Sequence, residues 1–492
     1  MLFLSKSRYC SAVQCPKMLW LRMKRPELFD DSVMNQAVLD MGNEVGDLAM
    51  GLFGPFREVP FGDLSGMIAE TKTLLDQGTP VIAEASFSFR GAFCSVDILK
   101  VIGRNTVEIY EVKSSTEISD IYYHDAAYQY YVLTGLGYDV RGVYLVHIDR
   151  TYERHGAIEL EKLFKINDVT DTVKELYPDV AERIRFLDDY LSSEEEPVMD
   201  IGEHCFSPYE CGFFRYCSRA LPSPNVFDLS GMQTRTKIRY YRNGEAGFPD
   251  LLKDKKLNAG CRTQIEHELY DLPDHIEKDA VRSFLDGLRF PLYFLDFETF
   301  QTAVPPFDGT RPYEQIPFQY SLHILERPDG ELMHREYLAY PGEDPRRKLA
   351  EHLCRDIPSG ACTLAYNMSF EKSRIRELAE RYPDLQEHLL DISGHMQDLM
   401  TSFQKKQYYT RAMQGSYSIK YVLPALFPDD PSLDYHSLEG VHNGSEASAA
   451  FMKMGGMDPA ELERYRTYLL EYCGLDTYAM VKIWEKLTES VS

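Results

Sequence analysis

Two neighbouring stretches in the first half of the chain combine acidic residues with a lysine. Asp97 lies in the apolar run "SVDILKV", and Glu111 and Lys113 flank Val112 in the next run, "VEIYEVK". Because side chains alternate between the two faces of a strand, Glu111 and Lys113 project from the same face. The intervening "IGRN" predicts a hairpin turn, which would bring Asp97 beside them.

These residue types indicate a cation site. Two carboxylates at one place repel each other unless a cation lies between them, and Mg²⁺ or Mn²⁺ accepts oxygen ligands. Lys113 could then orient or activate a water and stabilise charge on a phosphate. Glu84 in "VIAEASF" could add a carboxylate, while Gln129 and Tyr130 in "HDAAYQYY" could position nucleic acid or the lysine. The alternative is a half-exposed hairpin with alternating charges.

The pattern resembles the PD-(D/E)XK nuclease superfamily, in particular its RecB-like branch, where an acid on one hairpin strand precedes Glu-x-Lys on the next. The resemblance implies metal-binding acids at Asp97 and Glu111, a catalytic lysine at Lys113 and the motif glutamine at Gln129. Many RecB-like enzymes also carry a metal-binding histidine on an early helix. This chain has Gly46 there.

Cysteines form a second candidate site. "HCFSPYECGFFRYC" contains Cys205, Cys211 and Cys217, and Cys15 lies far upstream in "QCPKMLW". Since cytoplasmic thiols stay reduced, such a cluster indicates metal, either a [4Fe-4S] cluster or a structural Zn²⁺. Buried cysteines acting as small hydrophobic residues are the alternative. The arrangement is similar to iron-sulfur nucleases of the RecB family, which implies these four cysteines as ligands, with Cys10 as a rival to Cys15.

Three stretches of the second half place acidic residues where they could share one site: Asp296 and Glu298 in "YFLDFETF", Asn367 and Glu371 in "YNMSFEKSRI", and Tyr472 and Asp476 in "EYCGLDTY". The first pair is two residues apart on a predicted buried strand, so both carboxylates share a face and need a counter-ion. The other pairs are four apart on predicted helices, hence on one side. Two divalent ions about 4 Å apart need several such carboxylates.

In this order the stretches resemble the DEDD exonucleases of the RNase H-like fold, in the tyrosine-bearing subgroup. The resemblance implies four metal ligands and a tyrosine that orients water: Asp296, Glu298, Glu371 and Asp476, with Tyr472. Glu371 stands where that family usually has Asp. "GSYSIKYVLPALFP" also resembles a segment of uncharacterised bacterial RNase H-like domains fused to RecB-like nucleases, and its Lys420 could meet a phosphate. Asn367, Lys420 and Tyr130 are candidate nucleic-acid contacts.

Alternating strand and helix patterns predict an α/β protein with two domains. We expect a restriction-endonuclease-like PD-(D/E)XK domain over residues 1–225, a connector over 226–285 and an RNase H-like domain over 286–492. The apolar start before Ser5 is too short for a signal peptide, and no later apolar run approaches roughly 18 residues. We therefore expect a cytoplasmic protein without a membrane anchor.

Composition limits the choice of function. A net charge of -24 is unfavourable for binding nucleic acid, because phosphate contacts need Lys and Arg. Either the basic residues are concentrated locally, or the acidic excess faces a protein partner or a second copy. The favoured interpretation is a nuclease that acts on DNA more readily than RNA, at single strands or ends. The alternative is a nucleic-acid-binding or scaffold protein with one or both centres degenerate.

Overall fold

The computed structural model describes residues 4–34 and 36–492. Residues 1–3, part of the apolar start discussed above, lie outside the described residues. Helices and strands alternate along the chain, so the predicted α/β class is confirmed. None of the helices in the described part of the chain combines the length and the apolar character needed to cross a lipid bilayer.

The chain divides into two compact units. Unit 1 comprises the chain up to Leu221 together with Thr302–Glu314, and unit 2 comprises Pro222–Gln301 and Gln315–Ser492. Residues 226–285, the expected connector, therefore belong to unit 2 and contribute several of its helices.

Unit 1 contains the following strands: β1 Leu4–Ser5, β2 Arg57–Glu58, β3 Val81–Phe89, β4 Ala92–Val101, β5 Thr106–Lys113, β6 Asp139–Ile148 and β7 Phe164–Asp168. Its helices are α1 Lys6–Gln14, α2 Pro16–Lys24, α3 Gln36–Ala49, α4 Leu64–Asp76, α5 Asp120–Gly135, α6 Leu160–Leu163, α7 Thr170–Ser192 and α8 Phe214–Cys217. The predicted hairpin is present, with β4 and β5 antiparallel on either side of "IGRN".

The sheet of unit 1 has the order β2-β3-β4-β5-β6-β7, and β1 pairs with β4 outside this path. β4 is antiparallel to β3 and to β5, whereas β6 runs parallel to β5 after the crossover through α5. Apolar side chains of β3 to β6 pack beneath α5 and α7 in one core. The sheet thus holds the end of β5 rigidly beside α5.

Unit 2 contains these strands: β8 His275–Ile276, β9 Leu292–Phe300, β10 Ile316–Leu325, β11 Leu332–Leu338, β12 Cys362–Ala365, β13 Met396–Asp398 and β14 Tyr408–Tyr409. Its helices are α9 Thr234–Arg242, α10 Phe248–Leu251, α11 Ala259–Tyr270, α12 Lys278–Asp286, α13 Arg346–Asp356, α14 Met368–Arg381, α15 Gln386–Gly394, α16 Thr401–Gln404, α17 Ile419–Leu426, α18 Gly444–Lys453 and α19 Pro459–Val491.

The main sheet of unit 2 has the order β11-β10-β9-β12-β13. β10 is antiparallel to β9 and to β11, while β12 runs parallel to β9 and β13 parallel to β12. α19 packs on this sheet against β9 and β10. It begins after Asp458, whose side chain accepts hydrogen bonds from the N–H groups of Ala460 and Glu461, with Pro459 in the first helical position.

Candidate functional site

One group of charged side chains forms where β4 changes partners. β5 pairs with the last four residues of β4, and β1 pairs with its first two. Between these pairings, Asp97 Oδ2 accepts a hydrogen bond of 2.7 Å from the backbone N–H of Val112. β5 therefore ends with Glu111 and Lys113 beside an opening in the sheet. β1 leads directly into α1, whose first residue, Lys6, lies at the same opening.

Glu111 is at the centre of this first acidic group, which comprises Asp97, Glu111 and Asp125 with the cations Lys6 and Lys113. The Glu111 carboxylate accepts hydrogen bonds from Lys6 Nζ at 2.8 and 3.0 Å, Lys113 Nζ at 2.6 Å and Gln129 Nε2 at 2.5 Å. Asp125 accepts from Lys113 Nζ at 2.5 Å. Lys6 Nζ also lies 3.5 Å from Asp97 and 3.8 Å from Asp125.

Burial and neighbouring charges give these carboxyl groups different proton affinities. Burial, together with the charge of Glu111, raises the pKa of Asp97 to about 7 despite the nearby Lys6 ammonium. Burial and Glu111 also raise the pKa of Asp125. Burial acts in the same direction on Glu111, but the Lys113 and Lys6 ammonium groups outweigh it and hold the pKa of Glu111 below its usual range. Glu111 is thus firmly ionised, whereas Asp97 and Asp125 hold their protons more tightly than usual.

Glu84 borders this group. It lies opposite Asp97 in the antiparallel β3–β4 pair, at a position where the regular pairing is interrupted. Its φ of 54° is in the left-handed region, which costs a residue with a side chain about 1–2 kcal/mol. Burial raises the pKa of Glu84, with Lys6 lowering and Glu111 raising it. The additional carboxylate that the sequence predicted at Glu84 is therefore close enough to interact electrostatically with the group.

Tyr130, predicted as a nucleic-acid contact, lies elsewhere. Its ring packs edge to face against Tyr177 of α7, with 5.8 Å between the ring centroids, and it lies partly buried against the hydrophobic core. Gly46 of α3 stands where the RecB-like resemblance implies a histidine, and the acid of this helix that interacts with Glu84 is Asp47.

Sequence reasoning missed two members of the group. Asp125 precedes Gln129 by four residues in α5, and this helical spacing indicated that both side chains share a face. Lys6 is 105 positions from Glu111 and reaches it only because β1 pairs with β4. A two-residue strand gives no periodic signal that could have predicted this pairing.

The cysteines predicted as ligands line one small cavity of unit 1: Cys15, Cys205, Cys211 and Cys217. Met199 also lines it, with its Sδ atom 3.4 Å from Cys15 Sγ. Burial raises the pKa of all four thiols, that of Cys211 to about 11. Cys10 interacts instead with Asp125 and Lys113 of the first acidic group. The structure therefore brings Cys15, and not Cys10, to the other three cysteines.

The second acidic group joins three parts of unit 2 and consists of Asp296, Glu298, Glu371 and Asp476. β9 carries the first two on one face, α14 carries Glu371 in its first turn, and α19 carries Asp476. The carboxyl of Asp296 interacts electrostatically with all three others. The four acids predicted as metal ligands are thus gathered at one place.

Tyrosines and a cysteine complete the surroundings of these carboxylates. Asp476 accepts a hydrogen bond of 2.6 Å from Tyr435 Oη and another from Tyr472. Cys473 Sγ lies 3.8 Å from Asp296 Oδ2. Asp296, Glu298 and Cys473 each offer a potential ligand atom, and these three atoms lie within 4.8 Å of one another.

Every carboxyl of the second acidic group has a raised pKa, and burial is the main cause for each. The pKa values of Asp296 and Glu298 lie well above their usual range, because these buried acids repel each other and Asp476. The pKa of Glu371 rises to about 8, and its Oε2 atom is buried without a hydrogen-bond partner. For Asp476 the two tyrosine hydrogen bonds oppose burial, and the pKa rises only to about 6.

Two positive features act on this group. The exposed Lys420, on α17, lowers the pKa of both Glu298 and Asp476. α18 begins against Glu298, since a Cβ added to Gly444 would lie 3.5 Å from Glu298 Oε2. The positive end of that helix dipole favours an anion there.

Asn367 shapes the start of the helix that carries Glu371. Its φ is 74°, its side chain accepts a hydrogen bond of 2.7 Å from Ser369 Oγ, and its N–H donates to Asp398 Oδ1 at 3.0 Å. Sequence reasoning did not single out Asp398, whose charge raises the pKa of Glu371. It also missed Tyr435, which begins a three-residue 3₁₀ helix 41 positions before Asp476 and follows no periodic pattern.

Comparison with known proteins adds one match. A family model described as a domain of unknown function (DUF2779) matches residues 293–418. This segment contains three of the four acids of the second acidic group and ends before α17 and α19. No curated protein and no solved structure matches the chain. The activity of either acidic group therefore has to be inferred from its chemistry.

Proposed function

We propose that the protein is a metal-dependent nuclease that hydrolyses phosphodiester bonds, with its principal active centre at the second acidic group. The observation that carries this proposal is the convergence of Asp296, Glu298, Glu371 and Asp476, all with raised pKa. Carboxyl groups that hold protons for lack of a counter-ion fit hard divalent cations such as Mg²⁺ or Mn²⁺, because a cation removes their mutual repulsion. The unpartnered Glu371 Oε2 offers a free ligand atom.

The residues around the carboxylates have distinct roles in such a reaction. Bound divalent ions would supply Lewis-acid stabilisation of the attacking and leaving oxygens. Burial raises the pKa of Tyr472, so its phenol stays protonated at neutral pH and does not act as a base. Its hydroxyl keeps this proton and donates a hydrogen bond to Asp476, and its oxygen lone pairs remain to accept a hydrogen bond from the attacking water. Lys420 would attract the substrate phosphate.

Exposed tyrosines favour a single-stranded substrate. Tyr417 and Tyr421 lie on either side of Lys420 in the sequence, with 36% and 46% of their surfaces exposed. Tyr366 Oη donates a hydrogen bond of 2.7 Å to the carbonyl oxygen of Tyr417, which holds this segment beside the start of α14. Bases freed from a duplex stack on aromatic rings without sequence preference. We therefore propose single strands or ends, of DNA more readily than RNA, as the substrate.

The topology of each unit supports a fold assignment. In unit 2, the order β11-β10-β9-β12-β13, with β9 carrying the first two acids, is the arrangement expected of an RNase H-like fold. In unit 1, α4, the β3-β4-β5 meander, α5 and the parallel strand β6 follow the order expected of a PD-(D/E)XK core. We propose these two folds for the two units.

Unit 1 has a second candidate function, which is nucleic-acid binding or a scaffold role without catalysis, and the position of Lys6 favours it. Its ammonium group already contacts the three carboxylates of the first acidic group, at the place where a divalent ion would be expected. Asp97, Glu111 and Glu84 could hold an ion there only if Lys6 moved away. The alternative is that unit 1 binds nucleic acid or acts as a scaffold with a degenerate centre.

The four cysteines around one cavity fit a metal group that ties the beginning of unit 1 to its end. Cys15, Cys205, Cys211 and Cys217 would hold a [4Fe-4S] cluster, or Zn²⁺ as the alternative, after losing their protons. A brown anaerobic preparation with broad absorption near roughly 400 nm, lost in Cys211→Ser, would support the cluster. A colourless preparation with stoichiometric zinc would overturn it.

Cleavage of labelled oligonucleotides tests the nuclease proposal. Single- and double-stranded DNA and RNA are incubated with Mg²⁺ or Mn²⁺ and wild type, Asp97→Asn or Asp296→Asn, with Asp139→Asn and Asp286→Asn as exposed controls. We expect Asp296→Asn to lower the cleavage rate by at least ~100-fold, because metal ligation supplies several kcal/mol. Loss in Asp97→Asn alone would move the active centre to unit 1. No metal-dependent cleavage by wild type would overturn the proposal.

A further inference from the structure

The acidic chain contains one strongly basic segment. Residues 232–262 hold eight Lys and Arg against three Asp and Glu, a net charge of +5 in a chain whose net charge is -24. The remainder of the protein therefore carries -29. Such a separation within one chain indicates that the basic segment faces an anionic partner which the acidic remainder would repel.

The core of this segment is α9, which contains no acidic residue. Arg235, Arg239 and Arg242 follow one another at intervals of four and three residues, so they lie within one narrow face of the helix. All three are exposed. Like charges at these intervals repel each other and destabilise a helix. A polyanion bound along this face would turn that repulsion into attraction.

Packing holds this arginine face in position. Ile238 and Tyr240 are buried, and Tyr240 Oη donates a hydrogen bond of 2.5 Å to Asp254. Lys237 turns inward and donates to the carbonyl oxygen of Phe227 at 2.9 Å, so it is not part of the exposed face. The arginines thus project from a helix fixed on its inner side, which lowers the conformational cost of binding.

A turn in the same segment extends the basic surface. Lys255 and Lys256 are exposed, and Lys256 lines a cleft of about 680 Å³ together with Arg239. Two acids also line this cleft, Glu245 and Asp254. Asp254 is engaged in the fold, because it accepts hydrogen bonds from Tyr240 Oη and from the N–H of Lys256 at 2.7 Å.

We infer that Arg235, Arg239 and Arg242 of α9, with Lys255 and Lys256, bind the phosphate backbone of a single-stranded nucleic acid. The inference rests on the proposed nuclease function and deepens it, since it gives unit 2 a substrate-holding surface besides its acidic group. Arginine suits this role because its planar fork binds phosphate oxygens in pairs. Neutralised phosphates release counterions, so binding through this face depends steeply on salt.

Fluorescence anisotropy with a 5′-labelled oligo(dT) of 20 nucleotides tests the inference. Measurements in EDTA, over a series of salt concentrations, separate binding from cleavage. Arg235→Gln/Arg239→Gln/Arg242→Gln should reduce the slope of log K against log salt concentration by about 2, because each lost phosphate contact contributes roughly 0.7. Gln has a helix propensity close to that of Arg, so α9 is expected to persist, which circular dichroism checks.

A matched variant controls for net charge. Arg289→Gln/Arg327→Gln/Arg376→Gln removes three exposed arginines of unit 2 outside the basic segment and should leave the slope unchanged. Absence of oligo(dT) binding by wild type, an unchanged slope in the α9 variant or an equal loss in the control would overturn the inference. Arginine-dependent binding without any metal-dependent cleavage would keep the inference and overturn the nuclease proposal.

Discussion

The two acidic groups solve the same electrostatic problem in different ways. In unit 1 the carboxylates have internal counter-ions, since Lys6 and Lys113 contact them directly and hold Glu111 ionised. In the second acidic group burial raises the pKa of all four carboxyls, and repulsion between neighbouring acids adds to this at Asp296 and Glu298. The first group has lysine counter-ions and does not need an added metal ion. The second group would be stabilised most by binding a metal ion, and we therefore assign the principal catalytic activity to it.

The pH dependence of the free energy of unfolding should reveal that the second acidic group lacks counter-ions of the kind that the first group has. This is the largest expected effect. Glu371 binds its proton more tightly in the folded protein, where its pKa is about 8, than in the unfolded chain. Its contribution to stability is therefore present at low pH and is lost as the pH rises through about 8, by at most about 1.4 kcal/mol per pH unit. Glu371→Gln, which cannot ionise, should match wild type near pH 5 and melt at a higher temperature by pH 8 to 9 in EDTA.

An exposed acid of the same helix provides the control. Glu380→Gln on α14 should follow wild type at every pH, because Glu380 faces solvent. A difference between Glu371→Gln and wild type that stays constant from pH 5 to 9 would show that Glu371 does not titrate in this range. The contrast between the two acidic groups would then lose its main support.

The sequence was most informative where spacing within one element decides the geometry. Asp296 and Glu298 share a strand face, and Tyr472 and Asp476 share a helix face, so each pair was predictable from its own element. Asp125 and Gln129 carried the same kind of signal. Lys6 and Tyr435 did not, because a two-residue strand and a three-residue 3₁₀ helix bring them to their partners. The net charge likewise did not show where the basic residues lie. The structure shows that three arginines share one exposed face of α9.

Removing the internal counter-ion should make the first acidic group resemble the second. In an Asp296→Asn/Asp476→Asn background, which weakens the second group, Lys6→Met should tighten Mn²⁺ binding about tenfold, since the ion no longer displaces an ammonium group. Titration calorimetry measures this affinity directly. Lys100→Met, which removes a lysine 3.3 Å from Glu108 in the same sheet, is the control. Weaker Mn²⁺ binding in Lys6→Met would mean that Lys6 supports the site instead of competing with the ion.

The smallest expected effect concerns a single hydrogen bond at the second group. Tyr435→Phe removes the 2.6 Å bond to Asp476, which helps to keep that carboxylate ionised. We expect Mn²⁺ affinity to fall about fivefold, the equivalent of roughly 1 kcal/mol for one hydrogen bond, and the pH dependence of Mn²⁺ binding to shift upward. Tyr320→Phe is the matched control, because Tyr320 Oη makes a bond of the same 2.6 Å length to the buried Asp356 in the same unit. Both variants should lose similar stability, but only Tyr435→Phe should weaken Mn²⁺ binding. Equal Mn²⁺ affinities in the two variants would place Tyr435 in the fold alone and leave the ionisation of Asp476 to Tyr472 and Lys420.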